Sequence, residues 1–173
     1  MTLANKLTLS RIVLIPVFLI ILYMGFPGSD WVALAVFIIA SLTDLLDGWA
    51  ARHYGEVSNL GKFMDPLADK VQVCAAMCWF VQQGAMRGWV LAVVLLREFA
   101  VSGLRLVAVE RGKVIAAAWS GKVKTSSTMV CLCLLLVFHF NWLNMLCEIV
   151  ILATTVYSGV EYFAKNFHVF KEK

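Results

Sequence analysis

The sequence predicts an all-α integral membrane protein, six transmembrane helices behind a short N-terminal interfacial segment, forming a single domain over residues 1–173. Three observations carry the prediction. Hydrophobic residues make up 61% of the chain and the mean hydropathy is +0.83, well outside the range of a water-soluble globule. Apolar windows of about twenty residues, enough to cross a hydrocarbon core of about 30 Å, recur along the whole chain. Finally, the basic residues sort onto alternate connections between those windows.

The windows run approximately Leu9–Met24, Trp31–Arg52, Phe63–Val81, Trp89–Val109, Ser120–Phe140 and Leu143–Phe163. Helices are required because an open sheet leaves backbone groups unsatisfied in lipid. Lys6, Arg11, Arg52, Lys62, Arg111, Lys113, Lys122, Lys124, Lys165, Lys171 and Lys173 fall on one side, whereas the opposite loops (GFPGSD, QQGAMRG and HFNWLN) carry only Arg87. Positive charge stays inside, so both termini and the connection between the second and third spans are expected in the cytoplasm. The net charge of +4 forms no continuous basic stripe, which excludes nucleic acid as a partner. Cys74, Cys78, Cys131, Cys133 and Cys147 all fall in apolar segments and read as small buried hydrophobes rather than a disulfide framework. The first apolar run lacks a cleavage pattern and reads as a span, not a leader.

Taken in order, the segment before the first span places Asn5, Thr8 and Arg11 at three-residue steps, a polar stripe on a helix meeting the membrane surface. An interfacial anchor explains that stripe as readily as a ligand does. Pro16 is expected to kink the first span mildly, and Gly25, Pro27 and Gly28 mark an external turn. The second span ends with Asp44, Asp47, Gly48, Ala51 and Arg52, so two acids share a helix face with the smallest side chains. A packing seam of small residues accounts for Gly48 and Ala51 but leaves the acids unexplained. After the polar connection HYGEVSNL, Gly61, Asp65 and Asp69 recur at four-residue steps leading into the third span. Pro66 there implies a helix start or a kink.

An unpaired carboxylate within a membrane helix costs roughly 2.5 to 3.5 kcal/mol. Four of them, in pairs three and four apart, therefore call for a compensating charge. Two such faces brought together form a cage of hard oxygen ligands suited to Mg2+ or Mn2+. In the fourth span, Glu98, Ser102 and Arg105 fall within about 60° of one another on a helix, beside Arg97, as an internal ion pair or a polar pocket wall. Lys122 and Lys124 open the fifth span beside Gly121, where topological anchoring and phosphate binding are both open. The basic tail after Lys165 reads as solvated.

Written out, the motif is Asp44-x2-Asp47-Gly48-x2-Ala51-Arg52-x8-Gly61-x3-Asp65-x3-Asp69. It resembles at every fixed position the signature of the CDP-alcohol phosphotransferases, membrane enzymes of phospholipid synthesis. NKLTLSR, DPLADK, REFAVSGLR and GKVKT are similar to the bacterial branch that uses glycerol 3-phosphate as acceptor, so the resemblance covers residues 5 to 125. It implies transfer of the phosphatidyl group of CDP-diacylglycerol to glycerol 3-phosphate, releasing CMP, at the cytoplasmic face of the cell membrane. It further implies that Asp44, Asp47, Asp65 and Asp69 hold two divalent metal ions and that Asp69 doubles as general base.

 Four carboxylates balance the charge of two divalent ions, Mg2+ or Mn2+. By the same resemblance Gly48, Ala51 and Gly61 border the cytidine nucleotide, with Asn5, Thr8, Arg11 and Arg52 nearby. Arg97, Arg105, Lys122 and Lys124 are candidates for the acceptor phosphate, which needs cationic partners. A homodimer in the bilayer is implied too. The motif leaves open a sister enzyme with inositol phosphate, serine or phosphatidylglycerol as acceptor, and intramembrane acids also suit a small ion-coupled transporter.

Overall fold

The computed structural model describes residues 3–54, 59–112, 115–116 and 118–167. Within these residues the side chains at 3–9, 44–54, 59–63, 65 and 66 are not described. The described chain is all-helical: α1 (Leu3–Met24), α2 (Ser29–Tyr54), α3 (Asn59–Gln82), α4 (Gly88–Glu110), α5 (Trp119–Val137) and α6 (Asn141–Asn166). Each expected span has one helix. Among the described residues, α5 and α6 are long and apolar enough to cross a membrane, and α1 and α2 carry shorter apolar stretches over Ser10–Met24 and Ser29–Thr43.

Several boundaries shift by a few residues, α3 for example starting at Asn59 and not Phe63, and two of the shifts change the reading. The N-terminal segment is not a separate element, because α1 is helical from Leu3 without a break before the apolar run. With no glycine or proline ahead of Pro16, nothing in that stretch terminates a helix. At the other end of the chain α5 stops at Val137, short of the expected Phe140. Phe138 and Phe140 are extended, and extended chain puts alternate side chains on one side. The Phe138 and Phe140 rings stack at 6.3 Å, and Phe140 stacks on Trp142 at the same 6.3 Å.

Two compact units make up the chain, Met1–Trp79 and Phe80–Lys173. In the first, α1 packs on α2 through Phe18 and Phe37, whose ring centroids lie 5.6 Å apart. Gly25 and Gly28 turn the chain between these helices at φ of 58° and 88°, values that a side chain disfavours. Gln72 of α3 donates its side-chain amide to the Phe37 carbonyl and to Ser41 Oγ, both at 3.1 Å. Buried in that position, the amide ties α3 to α2 at a single level.

In the second unit α6 packs against both α4 and α5. Its side chains also close the open N-termini of those two neighbours. Neither helix has a side-chain cap of its own, and a helix start leaves backbone N–H groups without partners. Glu148 Oε1 accepts from the Arg87 N–H ahead of α4 at 2.5 Å. Four turns further along α6, the Tyr162 hydroxyl accepts from the Ala118 N–H ahead of α5 at 2.9 Å.

Polarity runs opposite to that of a soluble protein. Leu96 and Phe99 on α4 are 71% and 72% exposed, whereas Lys124, Thr155 and Ser158 are buried. That distribution suits lipid outside and hydrogen-bonded polar groups within.

Candidate functional site

The acidic half is set by α2 and α3. Helical backbone continues through positions 44, 47, 48, 51 and 52 on α2 and through 61, 65 and 69 on α3. The three- and four-residue spacings are therefore helical spacings, and Pro66 falls inside α3 rather than at its start. The side chains of Asp44, Asp47, Arg52 and Asp65, the surroundings of Gly48, Ala51 and Gly61, and the side chains of Asn5 and Thr8 lie outside the described residues. Asp69 is half-buried and Arg11 is fully buried on α1.

The Gln72 contacts supply a register for the acids. α2 and α3 are consecutive helices joined by a short connection, so they run antiparallel at this link. Counted from the Ser41–Gln72 contact towards the connection, Asp44 is three residues along α2 and Asp69 is three residues along α3. Asp47 and Gly48 follow about one further helical turn along α2, and Asp65 about one further turn along α3. As a donor set, the carboxylates fit a small divalent cation, being hard oxygen ligands at the ends of two consecutive helices.

The basic half lies in the second unit, where α4, α5 and α6 meet. Glu98 Oε1 accepts from Arg97 Nη1 at 2.9 Å and from Lys124 Nζ at 2.8 Å. All three side chains are at most 15% exposed. Two cations therefore share one carboxylate where solvent screening is weak. Arg97 Nη2 also donates to Ser158 Oγ at 2.5 Å, while Arg97 Nε is buried without a hydrogen-bond partner among the described residues.

Tyr162 organises the rest. The Arg97 and Arg105 guanidinium carbons each lie 5.5 Å from the centroid of its ring, within cation–π range. Arg105 Nη2 donates to its hydroxyl at 2.8 Å. Room for this arrangement comes from two glycines. A Cβ on Gly121 would sit 3.3 Å from Tyr162 Cε2, and one on Gly159 would sit 3.3 Å from Arg97 Cγ.

Of the four basic candidates, Arg97, Arg105 and Lys124 belong to this cluster. Lys122, two residues before Lys124, is exposed and makes none of these contacts. The helical face that groups Glu98, Ser102 and Arg105 in sequence does not make them partners. Ser102 Oγ turns back to the Glu98 carbonyl at 2.6 Å, and Arg105 reaches α6 instead. Ser158 and Tyr162 were missed by reading α6 as hydropathy alone. Their spacing with Thr155 and Ile151 along one buried face of α6 is the signal that finds them.

Known proteins resemble this chain along most of its length. Residues 1–157 match the sequence profile of the CDP-alcohol phosphatidyltransferase family. The chain is 41% identical to the CDP-diacylglycerol--glycerol-3-phosphate 3-phosphatidyltransferase of Bacillus subtilis (strain 168), over 98% of this chain and 97% of that one. It is 39% identical to a probable phosphatidylglycerophosphate synthase of Mycobacterium tuberculosis, over 94% and 80% of the two chains. With the Escherichia coli (strain K12) CDP-diacylglycerol--glycerol-3-phosphate 3-phosphatidyltransferase, identity is 40% over 75% and 74%. An acid-bearing α2–α3 pair, a match over most of the sequence and relatives aligned across nearly all of it have one explanation: the chain belongs to the CDP-alcohol phosphatidyltransferase family.

Proposed function

We propose that this protein transfers the phosphatidyl group of CDP-diacylglycerol to a hydroxyl of glycerol 3-phosphate, giving phosphatidylglycerophosphate and CMP. The reaction forms a bond from the acceptor oxygen to the phosphorus that carries the diacylglycerol. It breaks the bond from that phosphorus to the CMP oxygen. Asp69 takes the hydroxyl proton, the role of a general base within reach of the attacking oxygen. Asp44, Asp47 and Asp65, with Asp69, would hold Mg2+ or Mn2+, which when bound supplies Lewis-acid charge at the diphosphate. Gly48, Ala51 and Gly61 leave room for the nucleotide against the helix backbones, with Asn5, Thr8, Arg11 and Arg52 contributing polar contacts.

The observation that carries the acceptor assignment is the shared Glu98 carboxylate. Arg97 and Lys124 bring two positive charges to one negative charge, and Arg105 adds another nearby. A buried excess of positive charge is costly unless an anion joins it. The N-terminus of α5 begins beside the same cluster and adds its partial positive charge. A phosphomonoester dianion satisfies these groups, whereas serine brings no phosphate. Lys122, exposed on the same turn, guides the dianion inward.

The same reading places one domain over residues 1–173 in the cytoplasmic membrane as a homodimer, with six spans and cytoplasmic termini. Exposed Trp31, Trp89 and Trp142 open α2, α4 and α6, as interfacial anchors do at the outer surface. The activity is tested by supplying the purified protein with CDP-diacylglycerol, Mg2+ and one acceptor at a time. CMP release with glycerol 3-phosphate is expected; release only with inositol phosphate, serine or phosphatidylglycerol would replace the acceptor.

A further inference from the structure

Tyr162 is 2% exposed and sits where α4, α5 and α6 meet. A phenol has one hydrogen to donate and two lone pairs to accept with. Arg105 Nη2 and the Ala118 N–H have no lone pair to offer, so the hydroxyl accepts from both, at 2.8 and 2.9 Å. Both lone pairs are thereby used. The hydroxyl hydrogen has no acceptor among the described residues, although its oxygen is held in place from two sides. Arg97 Nε, on the guanidinium that lies over the same ring, is a second buried donor without a partner among the described residues.

A buried donor left without an acceptor costs about 1 to 3 kcal/mol. Two of them beside uncompensated cations fit an anion with several acceptor oxygens. A carboxylate satisfies such a set less fully than a phosphomonoester, whose three terminal oxygens offer acceptors in three directions. The aromatic ring adds orientation, because one rigid surface under two guanidinium groups fixes both relative to the hydroxyl.

We propose that the Tyr162 hydroxyl donates a hydrogen bond to a phosphate oxygen of the acceptor, and that its ring holds Arg97 and Arg105 to grip the same phosphate. The inference rests on the acceptor reading given above and adds Tyr162 to it as a binding residue.

Tyr162→Phe removes the hydroxyl and keeps the ring. It is expected to raise KM for glycerol 3-phosphate about ten-fold, the loss of one hydrogen bond to a charged group, while KM for CDP-diacylglycerol and kcat change less than about two-fold. Inorganic phosphate, as a competitive inhibitor against glycerol 3-phosphate, should weaken by the same about ten-fold. Thermal unfolding in detergent identifies damage to the fold, since the variant also frees the Ala118 N–H. A lowered melting temperature with both KM values unchanged would overturn the proposal and leave Tyr162 a helix cap. A rise in KM for CDP-diacylglycerol instead would assign the hydroxyl to the lipid diphosphate and overturn it equally. Arg105→Lys, which loses the planar fork, separates this inference from the reading beneath it. If Arg105→Lys raises KM for glycerol 3-phosphate and Tyr162→Phe does not, only the tyrosine assignment fails. If neither does, the acceptor site itself is elsewhere.

Discussion

Glu98 and Lys124 meet across two helices, with Nζ 2.8 Å from Oε1, on the same carboxylate oxygen that Arg97 reaches at 2.9 Å. This pair locks α4 to α5 and also leaves the cluster short of negative charge. Glu98→Gln removes the carboxylate that the two cations share. Breaking a buried ion pair from one side costs about 3 to 5 kcal/mol, so a marked fall in melting temperature in detergent is expected. Added phosphate should recover part of that fall by binding the folded state. Recovery by chloride at equal ionic strength would show screening in place of a phosphate site.

Gln72 makes a different link, between α3 and α2, one turn from the acids. Gln72→Leu leaves Ser41 and the Phe37 carbonyl without this donor, and a lost hydrogen bond of that kind costs about 1 kcal/mol. The expected functional effect is larger than the stability effect, because the proposed metal site has Asp44 and Asp69 each three residues beyond this contact. Titrating activity with Mg2+ should show a several-fold higher half-activating concentration. An unchanged Mg2+ response would mean that the acids are aligned by other contacts.

Glu148 caps α4 far along α6 from Tyr162. Glu148→Ala removes the acceptor of the Arg87 N–H and the 3.7 Å contact to Arg87 Nε. Loss of a helix cap costs about 1 to 2 kcal/mol, so the melting temperature should drop. The KM values for both substrates at low temperature should stay at the parent's level, since the residue touches no group assigned to chemistry. A selective change in either KM would contradict that separation.

Asp69→Asn keeps the size of the side chain and removes its basicity. Turnover should fall by about 100-fold or more, the usual contribution of a general base, while nucleotide binding persists. Asp44→Asn should instead weaken the Mg2+ dependence as well. Isothermal titration with CDP, beside initial rates, distinguishes the two; parental turnover in Asp69→Asn would remove the base assignment.

Much of this architecture is legible in sequence because lipid leaves few alternatives. Windows of apolar residues, the Gly25 and Gly28 turn and the alternation of charge locate the six helices of the described chain. The acid motif is legible for another reason: four carboxylates at helical spacing beside apolar runs have no ordinary structural use. The basic pocket is less so. Lys122 and Lys124 look equivalent in sequence, yet one is exposed and the other buried on Glu98. Helical periodicity places Arg105 beside Glu98, but a long side chain takes partners from other helices, and Tyr162 lies 57 residues away. Such partners depend on which helices pack together, and that information is spread over the whole chain.

Identification of the product is the decisive experiment on the proposed transfer. Purified protein in detergent receives CDP-diacylglycerol and isotopically labelled glycerol 3-phosphate, with Mg2+ or with a chelator. Labelled phosphatidylglycerophosphate and an equal amount of CMP are expected with Mg2+, and neither with the chelator. CMP release without label in the lipid, or equal turnover with and without divalent metal, would contradict the proposed transfer.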